Sequence, residues 1–277
     1  MPPSGIAAGV LAALSFGAGD FAGAFASRRA GALVVVAGAH VVGLIALLVG
    51  AVVVRPPLPG AEGALLGVAA GMAGLVGLAA LYRGMTLGGM GIVTSLSGAG
   101  SLAIPLVAGA VLGAQVAPAQ LLGVACAAGA AAAAGGASRD ELGRRALGMA
   151  ALAALGFGAW YVLLDAAARA GDPLWALVLS RGTSAIMATA IAAPRFDGAR
   201  FPLRIVIAAG LFDVAGNALY VVARDEIPIG LAAALVGLYP IVTLLMARVF
   251  LGERLSRLGQ IGVALALLGI VLISAGG

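Results

Sequence analysis

Three polar side chains stand at helical spacing inside an apolar stretch: Asp213, Asn217 and Tyr220. Residues at i, i+4 and i+7 share one helical face. A carboxyl beside an amide and a phenol, away from water, can bind an ammonium group or carry a proton. An ionisable residue at membrane depth is a functional candidate by default. The same triplet also suits a polar patch joining two helices. A second deep carboxyl is Asp20, in the GDFAG stretch at 19–23. It is a candidate for substrate or proton binding, whereas Gly19 and Gly23 beside it suit close helix packing.

Basic groups accompany these acids. His40 and Arg181 are 141 residues apart, each the ninth residue of its apolar stretch, which suggests two walls of one cavity. Arg181 keeps its charge and needs a carboxylate or carbonyl cluster. Asp213, Asp20 and Asp165 are the acids within the apolar stretches that could serve. A structural ion pair and recognition of an anion suit Arg181 equally. An unperturbed His titrates near neutrality, and His40 suits an interhelical hydrogen bond as well as a proton site. Trp160 and Tyr161, with Phe157 and Phe16, either line a pocket for an organic substrate or pack helices together.

Catalytic chemistry finds no motif. The chain has one His and one Cys, Cys126, so a Cys/His metal cluster cannot be assembled. No G-x-S-x-G nucleophile elbow is present. GGMG at 88–91 has no strand before it and no Lys-Ser/Thr after it, so it is not a phosphate loop. The expectation is a non-enzyme with no catalytic residue, no metal and no cofactor.

The elements that position these residues follow from composition. Of 277 residues, 62% are hydrophobic and 10% charged, and the mean hydropathy is +1.15. A soluble domain carries about 25% charged residues, so this chain cannot cover a water-facing surface. All 16 positive charges are Arg, scattered without a phosphate-neutralising stripe, which excludes a nucleic-acid partner. The chain reads as an all-α integral membrane protein whose surroundings are a lipid bilayer.

A spanning helix needs about 20 apolar residues. Ten stretches qualify: 5–27, 32–54, 61–82, 88–112, 118–136, 146–168, 173–193, 204–223, 228–251 and 258–275. The first is read as a retained helix, because no basic segment precedes it. Strand-like alternation is absent, which excludes a β-barrel.

The chain also repeats itself. LAALSFGAG at 11–19 returns as LAALGFGAW at 152–160, and Ala-Leu-Tyr at 80–82 returns at 218–220. VLG at 111–113 returns as FLG at 250–252, and all offsets stay between 138 and 141. The reading is two five-helix repeats, 1–137 and 146–277, joined by the charged linker SRDELGRR at 138–145. Because five is odd, the copies enter the membrane in opposite senses. Such inverted repeats place a site at the midplane between halves and permit alternating access.

The segment LYPIVTLLMARVFLGERLSRLGQIGVALALLGIVLI at 238–273 resembles the end of an EamA-type domain, the five-helix unit of the drug/metabolite transporter superfamily. The likeness rests on Pro240, on Gly252-Glu253-Arg254-Leu255 and on Gly259, Gly262 and Gly269; Pro105 and Ala114-Gln115 form a weaker copy. The resemblance implies ten transmembrane helices and transport of small metabolites, with both termini in the cytoplasm. Counting Arg by junction puts the termini outside instead.

The functional expectation is a secondary carrier in a bacterial cytoplasmic membrane, moving an amino acid or amine. A proton carried by Asp213 or Asp20 is its candidate coupling ion. A non-transporting membrane subunit or intramembrane enzyme is the alternative. Oligomeric state leaves no mark in the sequence.

Overall fold

The computed structural model describes residues 2–111, 115–137, 141–199, 201–227 and 229–275. Among these the chain forms eleven α-helices, one 3-10 turn at Ala193–Arg195 and no strand. The helices are α1 (Pro3–Ala30), α2 (Ala32–Val54), α3 (Ala61–Leu87), α4 (Met90–Val111), α5 (Pro118–Ala137) and α6 (Glu141–Arg169). They continue with α7 (Pro173–Ala192), α8 (Leu203–Glu226), α9 (Ile229–Val236), α10 (Tyr239–Leu251) and α11 (Arg257–Ala275). Eight of them are long and apolar enough to cross a bilayer, while α5 and α10 offer shorter apolar stretches, Pro118–Ala133 and Tyr239–Leu251.

Local chemistry sets the ends. The α1–α2 turn is one residue, Gly31, whose φ of 83° only glycine adopts at little cost. Arg55 leaves α2 in the left-handed region ahead of Pro56 and Pro57. Asp172 caps α7 by accepting from the Leu174 N–H at 2.8 Å, and Pro173 occupies the first helical position.

Two differences from the sequence reading stand out. The 228–251 stretch is not one helix. It breaks at residues 237–238, where Leu238 N–H bonds Leu235 O at 3.2 Å and Ile241 N–H bonds Leu238 O at 3.0 Å. Pro240 has no N–H to continue an α-helical ladder through the break, and it starts α10 instead. The second difference lies in the linker, of which residues 141–145 already belong to α6. Its first residues, 138–140, lie outside the described residues, as do 112–114 and Pro228.

Helices pack across the halves in exchanged pairs: α1 on α8 and α3 on α6, α10 on α1 and α4 on α6, with α2 on α7 and α5 on α11. Glycines make the closest approaches, and these recur. A Cβ on Gly77 would come within 2.9 Å of the Phe157 ring, and one on Gly216 within 2.9 Å of the Phe16 ring. Gly67 abuts Leu179 as Gly38 abuts Val206, and Gly158 abuts Ile104 as Gly17 abuts Val242. Gly71 faces the carbonyl of Ser180, and Gly210 that of Ala39. Without a hydrophobic force between helices in lipid, such small-residue approaches are what holds them together.

Candidate functional site

Asp213 lies ten residues from the start of α8, and Asp20 ten residues from the end of α1. At 1.5 Å per residue each is about 15 Å from its helix end, half of a hydrocarbon core about 30 Å thick. Gly19 brings the two helices together, since a Cβ there would sit 3.5 Å from the Asp213 backbone nitrogen. The two carboxylates consequently lie within electrostatic reach of each other.

Arg181 answers one of them. Its Nη2 meets Asp213 Oδ2 at 2.5 Å, with the side chains 11% and 31% exposed. Of the three acids considered for Arg181, Asp213 is the partner. Asp165 pairs instead with Arg169 on an exposed turn of α6. Arg181 reaches Asp213 past Gly43 of α2, where a Cβ would stand 3.6 Å from Arg181 Cδ. Asp20 is half-buried and has neither hydrogen bond nor ion pair among the described residues. The cluster of Asp20, Asp213 and Arg181 therefore holds two carboxyl groups and one guanidinium.

His40 and Arg181 lie within electrostatic reach of each other. His40 is 4% exposed, and its Nδ1 lies 2.5 Å from Ser184 Oγ, one turn along α7 from Arg181. Its Nε2 is buried without a partner among the described residues. Asn217 donates from Nδ2 to the Asp213 backbone carbonyl at 2.8 Å. Trp160 donates from Nε1 to Ser180 Oγ at 3.0 Å, tying α6 to α7, and meets Tyr161 edge-on at 5.0 Å.

The chain has four tyrosines, and all of them gather here. Tyr82, Tyr161 and Tyr239 lie within electrostatic reach of Asp20, and Tyr220 within reach of Tyr161. Tyr82 is 3% exposed and its ring lies against Gly23, leaving no room for a Cβ there. Tyr239 meets Phe16 edge-on at 6.4 Å. Tyr161, by contrast, is 44% exposed.

Tyr82, Tyr239 and Ser184 escaped the sequence reading. Tyr82 had a signal, since it shares the Ala-Leu-Tyr triplet with Tyr220. Tyr239 is marked only by the adjacent Pro240, and Ser184 by nothing. Among the described residues no group of three or more His, Cys, Asp or Glu side chains is arranged to hold a metal.

Away from this cluster, Glu253 follows α10 and accepts from the backbone N–H groups of Met90 at 3.0 Å and Gly91 at 3.4 Å. Burial pushes its carboxyl above the usual Glu value, while the two N–H donors and the charge of Arg28 pull it partly back. The folded protein thus holds this proton more readily than the unfolded chain does. The stability that follows is complete below the ordinary value of about 4.3 and is lost as pH rises through the raised one. Thermal melting should therefore show a falling limb there, which Glu253→Gln flattens. An identical limb in that variant assigns it to another group.

Residues 144–275 match the EamA-like transporter family. The chain is also similar to an uncharacterized inner membrane transporter, YedA, of Escherichia coli K12, at 35% identity over 27% of this chain and 26% of that protein. The YedA proteins of Escherichia coli O157:H7 and O6:H1 match to the same extent. The chain thus matches about a quarter of the length of these curated relatives. A crystal structure of another protein shares the fold over 99% of this chain and 98% of its own, with a TM-score of 0.63 and 17% identity. With eight bilayer-length helices, the chain is a multi-pass protein of the cell membrane.

Proposed function

We propose, on the premise that this is an EamA-type membrane protein whose residues 144–275 form the family's transporter unit, that the chain is a secondary carrier for a small ammonium-bearing metabolite, an amine or amino acid. In this reading ten spans cross the bilayer, with α9 and α10 together making the ninth. Residues 1–137 and 146–277 are inverted repeats related by a two-fold axis in the membrane plane. The exchanged helix pairs and the recurring glycine contacts support that relation, and repeats of this kind place a substrate site at the midplane.

The observation that carries the substrate class is the charge left over at mid-depth. Arg181 satisfies Asp213, and Asp20 is left without a partner among the described residues. An uncompensated carboxylate in lipid is costly, and one monovalent cation balances it. A substrate ammonium and a proton are both such cations, so they compete for Asp20. A substrate that binds displaces the proton, and a proton that binds releases the substrate. The tyrosine rings and Phe16 surround the organic part, and a cation over an aromatic face gains further attraction.

Melting of the purified protein against a panel of metabolites at two pH values tests this. The panel holds amines, amino acids, sugars, nucleosides and phosphate esters. A ligand at 100 times its dissociation constant adds about 2.7 kcal/mol to a folded state that alone binds it. The expected result is stabilisation by amines or amino acids, weaker at the lower pH, where the proton competes. Stabilisation by phosphate esters alone would overturn the substrate class.

A further inference from the structure

The half-helix α10 is held at both ends in different ways. At its start, residues 237–238 replace α-helical continuity by a turn. At its far end, beyond Gly252 with a φ of 65°, Glu253 reaches the N-terminus of α4, more than 160 positions away in sequence. The first N–H groups of any helix lack intrahelical acceptors, and here two of α4's are supplied by a carboxylate from the other half of the chain. Gly89 makes room for it, because a Cβ there would come within 2.9 Å of Glu253 Oε1. Alongside, Phe250 of α10 packs on Phe21 of α1 at 5.7 Å, Phe21 on Phe25 at 5.9 Å, and Arg29 lies over Phe25.

We infer that α10 is a gate, hinged at residues 237–238 and latched by Glu253 onto α4, closing the Glu253 end of the protein over the charged cluster. Tyr239 stands beside the hinge and belongs to that cluster, so movement of α10 is transmitted to the site. Thr243, one turn further, donates to the Gly17 carbonyl at 3.1 Å and reports the same closed position. Hinges of a few residues at element ends are the usual way a protein opens such a path. In the repeat register, the position of Glu253 falls on Ala114 or Gln115, neither of which is acidic. The latch thus belongs to one end only. Its role as a gate rests on the carrier reading above, but its existence is testable without any substrate.

The full chain, reconstituted in lipid nanodiscs with Cys126→Ser, receives one reporter cysteine, Ala247→Cys on α10 or Ala176→Cys on α7; both alanines are buried. Reaction with a water-soluble maleimide is then timed. Glu253→Ala should speed labelling at position 247 by about tenfold, the ratio set by losing a helix cap, and leave position 176 unchanged. Glu253→Gln keeps its acceptor oxygen and should stay near the parent rate. Gly89→Ala displaces the carboxylate from the α4 side and should reproduce Glu253→Ala. Unchanged labelling at 247 in both Glu253→Ala and Gly89→Ala overturns the gate, and so does an equal rise at 247 and 176, which means general loosening. Labelling that follows the latch in a protein that transports nothing leaves the latch standing and removes the carrier reading, and with it the role as a gate.

Discussion

Asp20→Asn should abolish uptake driven by a pH gradient, by about a hundredfold or more, while leaving the melting temperature unchanged or higher. The reasoning is one of charge. Asp20 is half-buried with no partner among the described residues, so the folded protein carries the cost of keeping its carboxylate from water. Asparagine removes that cost and retains the shape. It also removes the group for which proton and substrate ammonium compete, so the driving gradient no longer bears on substrate binding. Flux measured in proteoliposomes with an imposed pH gradient reads the effect. Undiminished proton-driven uptake by Asp20→Asn would take Asp20 out of the mechanism. Asp213→Asn would then be the next variant to measure.

Arg181→Ala should do the opposite to stability. It strands the Asp213 carboxylate, and breaking a buried pair from one side costs about 3 kcal/mol or more. Adding Asp213→Asn to Arg181→Ala should restore most of that loss, because the stranded charge disappears with it. A double-mutant cycle by thermal or denaturant unfolding in detergent measures this coupling. Additive losses in the two single variants would mean that the 2.5 Å contact contributes no coupling. The two predictions also separate the acids by role. In the proposed reading Asp213 is structural through Arg181, and Asp20 is the exchangeable one.

This separation shows where sequence reasoning reaches. The bilayer-length helices are legible because apolar runs between charges and prolines are long, and α2 falls on its expected residues 32–54. That Asp20, Asp213, Arg181 and His40 belong together is legible too, since charge at membrane depth is rare and each occurrence stands out. Which acid takes Arg181 is not legible. It depends on the glycine contacts that set α1 against α8, and on the gap at Gly43 through which the guanidinium passes. The break in the ninth stretch escapes because the run is read by hydropathy, which Pro240 alone does not interrupt. The Glu253 cap escapes for a deeper reason. Its partners are backbone N–H groups of Met90 and Gly91, which any residue but proline would offer.

The gathering of every tyrosine, and of Trp160, around one point has a spectroscopic consequence. The near-ultraviolet signals of this protein, its circular dichroism and its intrinsic emission, originate from the charged cluster, which holds Trp160 and the four tyrosines, and from one other strong chromophore, Trp175. Trp175 is fixed through its Nε1 to the Pro56 carbonyl at 3.2 Å and serves as an internal reference. Replacing it by Phe would leave a chain whose ultraviolet spectrum reports the occupancy of the site without any attached dye.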